Sequence, residues 1–176
     1  VDIEAENEAE ATELAKKILS YFQGSANVFE CTDQESLKAI LPDDRRYSYE
    51  IRDIIKTIAD VDSFIELKKD YGKSLLTGFI RIEGKPFGLL ASDCKFLGGA
   101  IDSESADKAA DFFDLCNANN LPMVSLVDTP GFMVGPASEK EGAPRKMAKL
   151  FRSSSMFKNN LTAIFLRKGY GLGAQA

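Results

Sequence analysis

The chain of 176 residues contains no histidine. That absence removes Ser-His and Cys-His nucleophile pairs and every imidazole-based metal site. Chemistry here has to rest on carboxylates, Lys, Tyr or backbone amides. Cysteine is scarce as well. Cys31, Cys94 and Cys116 are odd in number and widely spaced. They form no metal-like cluster and read as free thiols in a reducing compartment. No apolar run approaches membrane length and no signal peptide is visible, so the expected location is the cytoplasm. The net charge of -5 argues against a general nucleic-acid binder.

The acids and bases are unevenly spread. Residues 1–10 carry five acids and no base, whereas seven Lys or Arg and no acid follow Glu141. A basic C-terminal third suits either a phosphorylated small molecule or, more simply, a solvated face. The chain opens on Val1 and stops within Gly171-Leu172-Gly173-Ala174-Gln175-Ala176, which reads as an excised piece of a longer protein.

Residues 6–22 place Ala11, Leu14, Ala15, Ile18 and Phe22 on one helical stripe, with acids at its N-terminal end. Residues 24–48 are mixed and polar, with a short helix expected from Gln34 to Leu41, where Pro42 stops it. Ile51, Ile54, Ile55 and Ile58 mark a second helical face. The periodicity then changes. Ser63–Leu67, Leu75–Glu83 and Lys85–Ser92 read as strands, the last two joined at the hairpin signal Glu83-Gly84. Gly78 and Gly88 inside them suggest a close approach of neighbouring groups. Ser105–Asn117 reads as a helix capped by Ser103 or Ser105, with Ala109, Phe112, Phe113 and Cys116 inward. A strand over 123–128, a loop rich in Gly and Pro, a helix from about Pro144 to Phe157 and a strand over Leu161–Leu166 complete the order. Strand-helix crossovers after an antiparallel pair predict an α/β layered domain.

Val124-Ser125-Leu126-Val127-Asp128-Thr129-Pro130-Gly131-Phe132 is an apolar strand that stops at a Pro-Gly turn, a position where open α/β sheets bind ligands. Asp128-Thr129-Pro130-Gly131 also has the form that GTPases place near a γ-phosphate, and Gly72-Lys73-Ser74 lies upstream. A P-loop needs a glycine five positions before the glycine of its Gly-Lys, with four residues between, where this chain has Leu67, and it must lead into a helix, where this chain has a strand pattern. Arg145-Lys146-Met147 sits on an expected helix and lacks the hairpin setting of a biotinylation site. Two Gly-rich turns remain, Pro130–Gly135 and Gly169–Gly173. They are either plain strand-to-helix turns, the stronger reading on spacing alone, or turns that aim backbone N–H groups at a developing oxyanion.

Several segments, in order over about residues 45–176, resemble the biotin-dependent acyl-CoA carboxyltransferases. Tyr49-Glu50-Ile51-Arg52-Asp53-Ile54-Ile55 is similar to the family's lead-in. Thr77–Ser92 resembles its Gly-Phe…Arg…Gly…Pro…Gly hairpin. Ala106–Phe112 and Asn119-Asn120-Leu121-Pro122 are similar to the next helix and its exit. Asp128-Thr129-Pro130-Gly131-Phe132-Met133-Val134-Gly135 resembles the Asp-x-Pro-Gly-Phe-x-x-Gly loop, and Arg167-Lys168-Gly169-Tyr170-Gly171 the Arg-Lys-x-Tyr-Gly turn.

The resemblance implies a crotonase-like fold of repeated strand-strand-helix units. Residues 49–176 would be the front of a C-terminal carboxyltransferase domain, and residues 1–48 a connector from an N-terminal one. It implies transfer of CO2 from carboxybiotin to the α-carbon of an acyl-CoA, with a decarboxylase that runs the transfer towards biotin as the alternative. The biotin would ride on a biotin carboxyl carrier protein loaded by a biotin carboxylase, not on this chain. The active site would lie at a subunit interface of a homo-oligomer, in the cytoplasm or, in a eukaryote, the mitochondrial matrix. Carried over by position, the N–H groups of Leu172 and Gly173 are the oxyanion donors, Gly171 shapes their turn, and Gly131 and Phe132 line the biotin pocket. No metal is implied, and a ureido nitrogen of biotin would serve as base. This piece alone is expected to be inactive. Many relatives read Gly-Gly-Ala-Tyr-Asp where this chain has Gly171-Leu172-Gly173-Ala174-Gln175. A Leu N–H still donates, but the acidic position becomes Gln175.

Overall fold

The computed structural model describes residues 1–44 and 46–176. Five strands, β1 (Ile65–Leu67), β2 (Leu75–Ile82), β3 (Lys85–Ser92), β4 (Met123–Thr129) and β5 (Leu161–Gly169), form one sheet in sequence order. The first three are antiparallel, and β3, β4 and β5 are parallel. The helices are α1 (Glu8–Ser20), α2 (Leu37–Ile40), α3 (Ile51–Ile58), α4 (Ser103–Ala118), α5 (Pro136–Lys140) and α6 (Ala143–Ser155).

Alternation along the strands builds two cores. Leu75 and Phe79 of β2, Leu90 of β3 and Met123 of β4 face Ala109, Phe112, Phe113 and Cys116 of α4 and Leu150 of α6. Leu76, Ile80, Leu89, Ala91, Val124 and Leu126 face Ile51, Ile54 and Ile55 of α3. The period of two in the strands and of 3.6 in the helices thus yields a three-layer α/β/α domain. Gly78 lets β1 come close, since a Cβ there would collide with the Ile65 carbonyl. Gly88 instead makes room for side chains, chiefly the Cys116 sulfur.

The expected elements are present with several differences. Strand β5 runs to Gly169 and not Leu166, β1 starts at Ile65, and the Gln34–Leu41 stretch is a 3-10 turn (Gln34–Ser36) followed by α2. The cap of α4 is Asp102, whose extended backbone lets its carboxylate accept from the Ser105 N–H at 2.8 Å. Ser103 and Ser105 lie inside the helix. The Gly/Pro-rich loop contains α5, five residues started by a proline at the first turn. The α1 stripe is covered only in part: Leu14, Ile18 and Phe22 are half-buried, and Ala11 and Ala15 are exposed.

Residues 1–44 lie along the domain. The Tyr21 ring is buried against Phe79, and its hydroxyl donates to the Ser63 carbonyl. Gly72-Lys73-Ser74 leads straight into β2, and Gly72 packs on the backbone of Ser105, so the segment has no phosphate-wrapping loop. Lys108 is 1% exposed and donates to the carbonyls of Lys68 and Tyr71 at 3.0 and 2.8 Å, tying that same loop to α4.

Candidate functional site

Parallel strands β4 and β5 end at the same edge of the sheet, so the turns at their ends meet. The Tyr170 N–H donates to the Thr129 carbonyl at 3.1 Å. Gly131 has φ 112°, and a Cβ there would press on the Tyr170 carbonyl at 3.1 Å. A Cβ on Gly173 would lie 2.9 Å from the Gly131 Cα. Glycine at both positions is what allows the two turns to touch. The first turn is also held from the other side. The Ile101 N–H donates to the Gly131 carbonyl at 2.9 Å, and the Met133 N–H donates to the Ile101 carbonyl at 2.8 Å.

Gly171, with φ 64° and ψ -168°, breaks out of β5 and starts a single 3-10 turn over Leu172–Ala174. The N–H groups of Ala174, Gln175 and Ala176 fold back on the carbonyls of Gly171 and Leu172. Those of Leu172 and Gly173 have no acceptor among the described residues. They are consecutive donors at the start of a helical turn, where backbone N–H groups are free by geometry. The Leu172 side chain is 64% exposed. Phe132 turns its ring into the core, 5.6 Å from that of Phe151, so it offers the turn its backbone and not its ring. The structure therefore brings Gly131, Phe132, Gly171, Leu172 and Gly173 to one edge, with the contact made through backbone.

Beneath the turns lies a polar cluster. Asp128 is 0% exposed. Its Oδ2 accepts from the Tyr49 hydroxyl at 2.9 Å and from Arg167 Nε and Nη2 at 2.9 and 2.8 Å. Its Oδ1 accepts from the Lys168 backbone N–H at 3.2 Å. The Arg167 guanidinium also stacks over the Tyr49 ring, 4.5 Å from its centroid, and donates to the Tyr47 carbonyl at 2.7 Å. Burial, then the Asp128 carboxylate, pushes the Tyr49 phenol above its usual range, so Tyr49 stays a donor. A buried carboxylate with four donors is a satisfied structural acceptor. Tyr49 and Arg167 belong to the resembling segments, but no local spacing marks them as partners: they lie 79 and 39 residues from Asp128.

Two touching glycine turns thus bring two free, consecutive N–H groups to the strand ends of a three-layer α/β fold. The chain belongs to the carboxyl transferase domain family, which it matches over residues 1–176. It is 37% identical over 183 residues to an uncharacterized carboxylase of Bacillus subtilis (strain 168), covering 99% of this chain and 36% of that protein. It is 34% identical over 176 residues to the methylmalonyl-CoA carboxyltransferase 12S subunit of Propionibacterium freudenreichii subsp. shermanii, covering 95% of this chain and 33% of that one. Among solved structures, a single-chain, multi-domain long-chain acyl-CoA carboxylase superposes with a TM-score of 0.98 at 45% identity, over 99% of this chain and 18% of that one. The fold is thus the crotonase-like one of carboxyltransferase domains. The chain spans about a third of the length of these two curated relatives. Among the described residues no helix is long and apolar enough to cross a membrane.

Proposed function

We propose that this chain supplies the biotin side of a carboxyltransferase that moves CO2 from carboxybiotin to the α-carbon of an acyl-CoA. The observation that carries this reading is the pair of unengaged, consecutive N–H groups of Leu172 and Gly173, seated against the Gly131 turn. Residues 49–176 act as part of the C-terminal domain and residues 1–48 as the connector to an N-terminal domain that holds the acyl-CoA. The site is completed across a subunit interface of a homo-oligomer. A biotin carboxyl carrier protein and a biotin carboxylase are the partners, and the reducing interior of the cell fits three free thiols.

The residues present suit a ureido ring. Its oxygen is a planar acceptor, and the exposed turn presents two adjacent backbone donors. Carboxybiotin, when bound, supplies the carboxyl group. The Leu172 and Gly173 N–H groups hold the negative charge that develops on oxygen as the group leaves, fixed in place before the reaction. Gly171 gives the turn its left-handed start. Gly131 and the Phe132 backbone line the pocket beside these donors, and glycine at 131 keeps the lining free of a side chain there. A ureido nitrogen of biotin serves as the base, which suits a chain without histidine. The same donors serve transfer in either direction, and a decarboxylase that passes the carboxyl towards biotin is the alternative.

The test uses the intact subunit with its carboxylated carrier. Labelled carboxyl is expected to pass to an acyl-CoA drawn from a panel of chain lengths. Failure with every acyl-CoA, while the carrier keeps its label, would remove the proposal.

A further inference from the structure

Pairing between β4 and β5 changes register near the site. Val127 pairs with Phe165 and Thr129 with Gly169, so a two-residue step on β4 faces a four-residue step on β5. The ladder is broken at Asp128, and the extra residues of β5 lie opposite it. Irregularities of this kind bend a strand and re-aim the segment beyond it. Here that segment, within a few residues, is Gly171, Leu172 and Gly173.

The Asp128 side chain takes the place of the missing ladder bonds. It accepts from the Lys168 N–H and holds the Arg167 guanidinium, both within the bulged stretch. Tyr49, from the segment leading into α3, closes the cluster by donating to the same carboxylate and stacking under Arg167. The Lys168 ammonium reaches across to the Gly98 carbonyl at 2.8 Å, on the side where Gly99 meets the Asp128 backbone. Resting on the carboxyltransferase reading above, we propose that Asp128, Arg167 and Tyr49 are positioning residues. They fix the bulge, and the bulge fixes the direction of the Leu172 and Gly173 N–H groups. None of the three touches the reacting atoms.

The test uses the intact subunit with its carrier and carboxylase, and compares kcat per folded molecule for Asp128→Asn, Arg167→Lys, Tyr49→Phe and Leu172→Pro. A small misplacement of a reacting group costs up to about 100-fold, so Asp128→Asn and Arg167→Lys are expected to lower kcat by roughly 10- to 100-fold. The KM for acyl-CoA should stay within about twofold, because those contacts lie elsewhere. Tyr49→Phe keeps the ion pair and should lower kcat by only about fivefold. Should the buried-charge variants fail to fold, Tyr49→Phe decides. A role in folding alone predicts unchanged kcat per folded molecule. Positioning predicts that Tyr49→Phe has a smaller effect once Leu172→Pro has removed one of the two donors it helps to aim. Effects that multiply, or network variants at wild-type kcat while Leu172→Pro is slow, would overturn the proposal. Wild-type kcat in Leu172→Pro alone would instead overturn the reading of the donors.

Discussion

Two turns at opposite edges of the sheet present consecutive N–H groups, and the protein treats them oppositely. In the β2–β3 hairpin, Glu83 and Gly84 have φ values of 50° and 75°, the double left-handed turn that matches strand twist. Both of their N–H groups donate to the buried Asp60 carboxylate, at 2.9 and 2.7 Å. In the turn after β5, the N–H groups of Leu172 and Gly173 meet no acceptor among the described residues. The backbone chemistry is the same in both. One turn has its acceptor built in and is structural. The other has carboxylate nearby, in Asp128, but that carboxylate is spent on Arg167, Tyr49 and Lys168. An anionic acceptor is thus kept away from the free donors, which suits the oxyanion role proposed for them.

The comparison can be broken from the structural side. Asp60→Ala leaves two turn N–H groups without their charged acceptor and should cost about 3 kcal/mol in denaturation of the intact subunit. Carboxyl transfer per folded molecule should stay within about twofold of wild type. A loss of transfer with unchanged stability would show that the hairpin turn is not merely structural.

The glycines sharpen the contrast. A Cβ on Gly84 would strike the Ala26 carbonyl, whereas on Gly171, at φ 64°, the nearest atom would be the Pro130 oxygen at 4.0 Å. Gly84→Ala is expected to cost about 3–4 kcal/mol, from backbone conformation and crowding together, and Gly171→Ala about 2 kcal/mol, from a backbone conformation nearly confined to glycine. Equal costs would mean that crowding does not distinguish the turns. The smallest effect is expected at Cys31, whose sulfur lies 3.7 Å from Asp60 Oδ1. Cys31→Ser should shift stability by less than about 0.5 kcal/mol, because Asp60 keeps both N–H donors. A larger loss would make the thiol part of the turn's anchoring.

How much was legible in the sequence depends on how far each signal reaches. The five strands and the main helices were legible because burial repeats every two or 3.6 residues within one segment. Ile51, Ile54 and Ile55, or Phe112, Phe113 and Cys116, announce their own face. Helix α5 was not, since five residues cannot carry an apolar stripe. Asp102 was missed as a cap because three residues of capping type, Asp102, Ser103 and Ser105, stand close together and only the backbone angles choose among them. The α1 stripe marked its face but not its covering, because no local period says which neighbour packs on it. The five turn residues were singled out through resemblance to relatives alone, and spacing favoured plain turns. Their contact, the register shift at Asp128 and the grip of Asp60 on a turn 23 residues away were not, because each joins segments that no local period connects.

The most direct test of the central claim is the transfer rate of Leu172→Pro in the intact subunit. Proline removes one N–H at the first position of a helical turn, where its ring is tolerated, so stability should change by less than about 1 kcal/mol. The loss of one preorganised donor should lower kcat by about 100- to 1,000-fold, with the KM for acyl-CoA little changed. A folded Leu172→Pro subunit that transfers carboxyl at the wild-type rate would contradict the account.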